Sequence, residues 1–314
     1  MYIGNGAYCY ANSASMLIRG FGEEAEPSLL EVLSGVGLGI TLYKNGHLFL
    51  HNNTCDPDTG ISHAMRALGY SFTEAYSQEG EGCPLQSVRK VLEDGTAMLG
   101  PVDMGYLTYA PNHMYAKGSD HYILAYAMDD EFIYLHDPAC FPHVRLPLGR
   151  LVQAWRAEDL PYGRGPYQYW HSIKRESSPS REEMYVDSLV YFRHLYENTD
   201  EMGVQIGAKT GRKAIEALIE NVERKEVSQE VINDLKYFVF QLGAKRAGDY
   251  AVYFKEKHPV LSQAKREQSR VLGLCHSLIV EGNWQELTVN LREFAELEDE
   301  FKASLLGLAD IEMS

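Results

Sequence analysis

Near residue 178 the sequence changes character. Before that point Gly, Tyr, His and Pro are frequent and the apolar runs are short. After the segment SSPS at residues 177–180, apolar residues recur three and four positions apart almost to the end of the chain, as in AIEALIENVE and WQELTVNLREFAELEDEF. This is the spacing of amphipathic helices. We therefore expect two domains: residues 1–177, with mixed helices and strands, and residues 178–314, which are all helical.

The second part carries signals for where its helices begin and end. Ser228 followed by Glu230 is typical of a helix start, because a serine side chain accepts hydrogen bonds from first-turn N–H groups and an acidic residue there complements the helix dipole. Gly243 and Gly282 are expected to end helices. The pattern predicts about five or six helices in this part.

The first part predicts an α+β fold in which an N-terminal helix packs on an antiparallel sheet. The stretch ANSASMLIRGFG is predicted to be that helix, and ISHAMRALGY, PLQSVRKVLEDG and GRLVQAW are predicted to be others. Strands are expected in TAMLGPVD, HYILAYAM, EFIYLHDP and YQYWHSI. A smaller hairpin is expected in GITLYKNGHLFLH, around Asn45-Gly46.

The charge balance excludes several functions. The chain has 29 Lys and Arg against 44 Asp and Glu, a formal net charge of −15. Nonspecific nucleic-acid binding needs a basic surface and docking to anionic membranes needs a polybasic segment, so we expect neither partner. No apolar run reaches the roughly 18–20 residues of a membrane helix. The start MYIGNGAYCY also lacks the basic and apolar regions of a secretory signal.

Cysteine usage is typical of a reducing compartment. The chain has 5 cysteines, an odd number at wide spacings, and no CxxC motif occurs. Neither a disulfide framework nor a zinc ribbon is indicated, and no HExxH metal motif is present. We expect a cytoplasmic protein that uses no metal or cofactor and has at least one thiol available for chemistry.

Cys9 is the strongest candidate for a reactive thiol. It directly precedes the predicted N-terminal helix, and Gly4, Asn5 and Gly6 lie just upstream, where the backbone can approach a ligand. The dipole and unpaired N–H groups of a helix N-terminus favour a thiolate and can hold a developing oxyanion. A cysteine nucleophile also needs a base, and the base needs a group that orients it.

His121 and Asp137 offer that pair. His121 begins one predicted strand, and Asp137 ends the next. A two-residue turn at Asp129-Asp130 would make the strands antiparallel and place His121 opposite Pro138, one step from Asp137. A carboxylate there can accept from the imidazole and fix its tautomer.

Each of these residues also has an ordinary structural explanation. A lone cysteine is usually a small buried hydrophobic residue, and a histidine in a strand is usually just hydrogen-bonded. Asp-Pro at a strand end is usually a turn signal. The chain order and compatible geometry of the three residues together are what favour catalysis.

These residues also carry a resemblance to known families. The order of Cys9, a histidine that opens a strand, and Asp-Pro after the following strand resembles papain-like cysteine enzymes of the bacteriocin-processing C39 type. The first 175 or so residues look more closely like the N-terminal domain of the butirosin biosynthesis protein H family. The matching segments are, in order, YCYANSASMLIRGFG, LLEVLSGVGLGITLY, TAMLGPVDMGYLTY and HYILAYAMDDEFIYLHDP.

The resemblance implies a papain-like acyltransferase. Cys9 would be the nucleophile, His121 the base and Asp137 the orienting carboxylate. The helical remainder resembles the C-terminal region often attached to that domain. Papain-like enzymes usually have a glutamine a few residues before the cysteine as an oxyanion donor, and the matching position here is Ile3.

The oxyanion donor and the cleft are therefore less defined. Asn5, Asn12 or the backbone N–H of Cys9 could replace the missing glutamine. Asp103 and Tyr106 match a family-like patch and are candidates to line the cleft. The segment SGVGLGI at residues 34–40 suggests a phosphate loop, but its glycines fail the GxGxxG spacing, and a tight chain reversal fits it better.

The function that we expect is acyl transfer in secondary metabolism. The donor would be an acyl carrier protein or another acyl thioester, and the acceptor a small-molecule amine. The alternatives are a cysteine peptidase or amidohydrolase, a thioester cyclase of the same fold, and a catalytically silent binding protein. The helical region would cap the cleft, bind the carrier or form a homodimer. A carrier could dock on the basic clusters at residues 209–213 and 245–246, which equally suit an ordinary solvated helix face.

Overall fold

The computed structural model describes residues 1–78, 80–160 and 163–312. The chain divides into two compact units: Met1–Leu33 with Asp56–Ser180, and Ser34–Cys55 with Arg181–Ser314. The helical texture begins beside the junction at Ser180, but the short segment Ser34–Cys55 is part of the second unit. The division expected from the sequence, at residue 178, assigned Ser34–Cys55 to the first part instead.

In chain order, within the described ranges, the helices and strands have the following bounds: α1 Cys9–Arg19, α2 Pro27–Ser34, β1 Thr41–Leu42, β2 Leu48–Phe49, α3 Pro57–Ala67, β3 Tyr70–Ala75, α4 Leu85–Asp94, β4 Ala97–Asp103, β5 Asp120–Met128, β6 Phe132–Asp137, β7 Phe141–Pro147, α5 Leu148–Arg156, β8 Tyr169–Arg175, α6 Arg181–Ile206, β9 Lys209–Thr210, α7 Gly211–Glu223, α8 Gln229–Asp234, α9 Phe240–Phe254, α10 Pro259–Glu281 and α11 Trp284–Glu312. Short 3₁₀ turns cover Met104–Tyr106 and His113–Ala116, and a π-helical segment covers Leu235–Val239.

An antiparallel sheet forms the centre of the first unit. Its strand order among the described residues is β3-β8-β4-β5-β6-β7. On one face α1 contacts the sheet, where the ring of Tyr10 meets that of Tyr122 edge-on at 5.9 Å. On the other face α4 and α5 cover a core that includes Trp155 and Ile123. The predicted α+β fold with an antiparallel sheet is confirmed; α2, β3 and β7 were not predicted.

The β5–β6 hairpin has a different register from the one expected. Met128 pairs with Ile133, and the N–H of Asp129 donates to the backbone oxygen of Phe132 at 3.0 Å, so the turn is centred on Asp130-Glu131. The side chain of Asp129 holds this turn by accepting from the N–H groups of Glu131 and Phe132 at 2.8 and 2.7 Å. Tyr126 is then an extra residue in β5, a bulge that shifts the register by one. The expected pairing of His121 with Pro138 was therefore wrong in detail.

The second unit is helical apart from a small sheet. Within its described residues β1 pairs with both β2 and β9, so the description of residues 178–314 as all helical misses one short strand. The helical C-terminal region is confirmed. Ser228 caps the N-terminus of α8, where its hydroxyl accepts from the N–H of Val231 at 3.3 Å. Gly282 ends α10 in the left-handed conformation, with φ of 75°.

Gly243 was expected to end a helix but lies inside α9. A β-carbon built at this position would lie 2.2 Å from Cδ1 of Leu50 and 3.2 Å from Cδ1 of Leu272. Glycine is needed there because neighbouring side chains pack directly against the helix backbone. Gly35 has the same kind of reason, since a β-carbon there would lie 2.4 Å from Cδ1 of Leu195.

Two arginines of the basic clusters are engaged within the fold. Arg246 is buried and donates to the backbone oxygen of Leu50 at 3.2 Å. Arg212 is paired with Asp299 at 2.5 Å. No helix in the described part of the chain is long and apolar enough to cross a membrane.

Candidate active site

Cys9 is the first residue of α1. The residue before it, Tyr8, adopts the left-handed conformation with φ of 53° and ψ of 55° and gives the first turn no side-chain cap. A non-glycine residue with positive φ is costly and is found often at functional sites. The thiol of Cys9 is half-buried, while the helix behind it is buried from Tyr10 to Ile18. The sequence thus places a partly accessible thiol at an uncapped helix N-terminus.

Asn12 holds the turn that leads into Cys9. Its amide nitrogen donates to the backbone oxygens of Ala7 and Tyr8 at 2.6 and 3.0 Å and to Oδ1 of Asn5 at 3.1 Å. The same Oδ1 accepts from the N–H of Ala7 at 3.1 Å. The amide nitrogen of Asn12 is therefore occupied. Because Oδ1 of Asn5 faces two donors, the amide nitrogen of Asn5 is directed away from them.

His121 and Asp137 form a buried pair. Nε2 of His121 lies 2.6 Å from Oδ1 of Asp137, and the two residues are 5% and 1% exposed. His121 also forms a side-chain hydrogen bond with Cys9. With Nε2 engaged by the carboxylate, Nδ1 is the ring nitrogen left for the thiol. The structure thus brings Cys9, His121 and Asp137 into one hydrogen-bonded series.

The carboxylate of Asp137 has further donors among the described residues. Oδ2 accepts from the hydroxyl of Tyr109 at 2.7 Å, and Oδ1 also accepts from the N–H of Ala139 at 2.7 Å. The sequence patterns did not single out Tyr109. Its role as a donor depends on the path of the chain between β4 and β5, which no periodic pattern specified.

These contacts set the charge of the pair. Burial alone lowers the pKa of His121, but the charge of Asp137 and hydrogen bonds to Asp137 and Cys9 outweigh burial, and the pKa is raised well above its usual value. Burial raises the pKa of Asp137, but the His121 charge and the donors His121, Tyr109 and Ala139 bring the net pKa below its usual value. The geometry therefore favours an imidazolium beside a carboxylate.

Two residues were expected to line the cleft: Asp103 ends β4, and Tyr106 lies in the turn that follows. Asp103 is 1% exposed, and its Oδ1 accepts from the N–H groups of Gly105 and Gly118 at 2.7 and 3.0 Å. This carboxylate is enclosed by its own turn. Tyr106 is half-buried against the core beneath α4 and α5.

The neighbouring His136 has a separate environment. Its ring stacks on Tyr126 at 4.7 Å and meets His143 edge-on at 4.4 Å. Burial, together with the charges of His143 and the N-terminus, lowers the pKa of His136 to about 4. The histidine is therefore neutral at physiological pH and packs among aromatic rings.

The other thiols differ from Cys9 in exposure and surroundings. Burial raises the pKa of Cys83 and Cys275 to about 12, so neither is ionised at neutral pH. Cys55 is buried and Cys140 is exposed in the loop after Asp137. Within the described ranges, no group of three or more His, Cys, Asp and Glu side chains is placed to hold a metal ion.

Comparison with known proteins relates nearly the whole chain to one protein. Over 306 residues the chain is 39% identical to the Bacillus subtilis (strain 168) protein described as uncharacterized protein YobF, and the alignment covers 98% of each. The family model of the YobF C-terminal domain matches residues 205–306.

Comparison with solved structures finds a crystal structure described as a C39-like peptidase from Bacillus anthracis. It is 14% identical, with a TM-score of 0.39, and the match covers 56% of this chain and 96% of that chain.

Proposed function

The chain belongs to the YobF family, and from the geometry of its first unit we propose that it is a papain-like, cysteine-dependent acyltransferase. An acyl group passes from a thioester, carried by an acyl carrier protein or a coenzyme A-type donor, to Cys9 and then to a small-molecule amine. His121 is the proton carrier and Asp137 orients it. The single observation that carries the proposal is the hydrogen-bonded series of Cys9, His121 and Asp137 at the start of α1.

The exposure of the three residues supports this division of roles. The thiol is half-buried and reachable, while the imidazole and the carboxylate are buried. A buried pair keeps its geometry without competition from water, and a partly exposed nucleophile can meet a substrate. Asp137 accepts from Nε2 of His121, which leaves Nδ1 for the thiol and fixes the tautomer.

In the first half-reaction the Cys9 thiolate attacks the thioester carbonyl. The positive charge of the His121 imidazolium stabilises the thiolate before the attack. The imidazolium then donates its proton to the sulfur of the departing donor as the C–S bond breaks. The products are acyl-Cys9, a neutral His121 and a free donor thiol. Because one thioester replaces another, this step is close to balanced in free energy.

In the second half-reaction the amine attacks acyl-Cys9. Neutral His121 takes a proton from the amine nitrogen, the Cys9 thiolate leaves, and an amide is released. The imidazolium and thiolate are thereby restored. The raised pKa of His121 suits this cycle, since the protonated ring is the resting form beside Asp137.

The oxyanion of each tetrahedral intermediate needs donors near the start of α1. The backbone N–H of Cys9 is at the helix N-terminus, where the dipole also favours negative charge. We assign the side-chain donor to Asn5 rather than Asn12, because the amide nitrogen of Asn12 is occupied by the turn before Cys9.

The test is the intact mass of the protein after mixing with acyl thioesters, on pantetheine mimics and on carrier proteins. The expected result is one acyl increment on the wild type, none on Cys9→Ala, and loss of the increment when an amine is added. A modified Cys9→Ala protein would overturn the assignment of the nucleophile. An increment discharged by water but by no amine would replace transfer with hydrolysis.

A further inference from the structure

We propose that Tyr109 is a positioning residue for the candidate active site and acts by holding the Asp137 carboxylate in place beneath His121. The inference rests on the proposed function, because it assigns Tyr109 to the same reaction. It does not depend on which acyl donor or acceptor the protein uses. The Tyr109 hydroxyl donates to Asp137, so Tyr109 acts on the thiol through that carboxylate.

The two oxygens of Asp137 are held differently. Oδ1 accepts from Nε2 of His121 at 2.6 Å and from the N–H of Ala139 at 2.7 Å. Oδ2 accepts from the Tyr109 hydroxyl at 2.7 Å. The contact with Tyr109 therefore fixes rotation of the carboxylate about its bond to Cβ. If Oδ2 were released, Oδ1 could turn away from His121.

The burial of Asp137 makes the hydrogen bond from Tyr109 difficult to replace. Asp137 is 1% exposed, so water cannot readily replace a donor that is lost, and a buried carboxylate oxygen without a donor is strongly disfavoured. Tyr109 is itself held edge-on against Phe141 at 5.7 Å between ring centres. The ring is thus fixed from β7 while its hydroxyl reaches the end of β6.

The direct test is Tyr109→Phe, which removes the hydroxyl and keeps the ring against Phe141. The matched control is Tyr134→Phe, because the Tyr134 hydroxyl also donates to an aspartate, Asp129, at 2.7 Å, at the far and exposed end of the same hairpin. Each variant loses one hydrogen bond from a tyrosine hydroxyl to an aspartate. Only Tyr109→Phe is expected to alter the chemistry of Cys9.

The readout is the rate at which iodoacetamide alkylates Cys9 as a function of pH, followed on the Cys9 peptide by mass spectrometry. This measures the thiolate and needs no acyl donor. Tyr109→Phe should lower the rate at neutral pH by about 10-fold to 100-fold, the range for a lost hydrogen bond to a charged group. The acid limb should move to higher pH, since the ionised carboxylate that supports the imidazolium is less stable. Tyr134→Phe should match the wild type.

A double-mutant cycle separates positioning from general damage to the fold. In an Asp137→Ala background, Tyr109→Phe should cause no further loss of rate, because its effect passes through the carboxylate. A wild-type pH profile for Tyr109→Phe, or an equal loss in both backgrounds, would overturn the inference. If wild-type Cys9 is alkylated no faster than a cysteine in a short peptide, the proposed function itself is contradicted. If Cys9 is reactive but Tyr109→Phe leaves its pH profile unchanged, only the inference about Tyr109 is contradicted.

Discussion

The Ser13 hydroxyl donates a hydrogen bond to the backbone oxygen of Tyr122 over 3.0 Å. Ser13 lies one turn after Cys9 on α1, and Tyr122 follows His121 on β5. Both ends of the bond are buried. A single buried contact therefore ties the helix that begins with the thiol to the strand that carries the imidazole.

Loss of the Ser13 hydrogen bond should lower the reactivity of Cys9 as well as the stability of the fold. Ser13→Ala removes the hydroxyl from a 0% exposed position and leaves the Tyr122 oxygen with one donor fewer. We expect the free energy of unfolding to fall by about 1–2 kcal/mol and the rate of Cys9 alkylation to fall as well. Urea titration and the alkylation assay check the two effects. Ser15→Ala is a control on the same helix, because the Ser15 hydroxyl bonds to the oxygen of Ala25 instead; equal alkylation rates in the two variants would contradict the prediction.

Cys9→Ala should abolish turnover and leave the fold intact. The side chain is half-buried and small, so its loss should change stability little. Removal of a nucleophile usually costs about 10³-fold or more in rate. The acyl-adduct assay gives the activity, and circular dichroism gives the fold. Cys140→Ala is the matched control, since that thiol is exposed and follows Asp137 closely. A comparable loss of activity in Cys140→Ala would show that the assignment of Cys9 as the nucleophile is wrong.

The His121–Asp137 pair should contribute fully to the free energy of unfolding only within a window of pH. The folded pKa of Asp137 is lowered, so its contribution is present above the unfolded value of about 3.9 and is lost as pH falls through the folded pKa. The folded pKa of His121 is raised, so its contribution is present below the unfolded value of about 6.5 and is lost as pH rises through the folded pKa.

Both contributions are therefore complete only between about pH 4 and pH 6.5. The difference in unfolding free energy between wild type and Asp137→Asn should be largest there and should shrink on either side. Urea titrations from pH 3 to pH 9 measure it. A difference that is flat with pH would show that the pair is not ionised in the folded protein.

In the second unit, Lys265 and Glu298 form a buried pair whose disruption should be costly. Lys265 is 3% exposed, its Nζ lies 3.6 Å from Oε2 of Glu298, and Glu298 also accepts from Tyr196 and Gln268. Lys265→Met would leave the carboxylate buried without its cation and should cost about 3–5 kcal/mol in urea titration. Adding Glu298→Gln removes the orphaned charge and should recover part of that loss. If the double variant is as unstable as Lys265→Met, packing rather than charge explains the defect.

Patterns along the sequence were sufficient for the main elements because those depend on local periodicity. The spacing of apolar residues predicted α1, the strands β4, β5, β6 and β8, and the helical second part. They also placed His121 and Asp137 at the same end of one hairpin, where the structure has them 2.6 Å apart. The roles of these residues in catalysis stay a prediction.

The errors arose where tertiary contacts decide the local structure. Gly243 has the residue type of a helix end, but it lies inside α9 because Leu50 packs on the helix backbone there. The hairpin register was missed because Asp129 stabilises a turn centred one residue later than expected, on Asp130-Glu131, and because Tyr126 forms a bulge. Tyr109 was not singled out because its hydroxyl reaches Asp137 across 28 residues, a distance over which no periodic pattern operates.

A matched pair of substitutions tests the assignment of Asn5 as the side-chain donor to the oxyanion. Oδ1 of Asn5 accepts from the N–H of Ala7 and from Asn12, both at 3.1 Å. Asn5→Asp keeps an acceptor for both bonds but removes the amide donor and adds a negative charge, whereas Asn5→Ala removes both the acceptor and the donor. If the amide nitrogen of Asn5 donates to the oxyanion, both variants should lose about 10²-fold to 10³-fold in the rate of acyl-enzyme formation.

The outcome also separates chemistry from support of the turn. If Asn5 only holds the turn before Cys9, Asn5→Asp should retain clearly more activity than Asn5→Ala, and the oxyanion would then be stabilised by backbone N–H groups at the start of α1. Asn12→Ala is expected to act through the fold, with about 1–3 kcal/mol lost from the unfolding free energy because the backbone oxygens of Ala7 and Tyr8 lose their donor. Rapid-quench measurement of acyl-enzyme formation, with urea titration of each variant, distinguishes a slow but stable protein from one whose turn has lost its order.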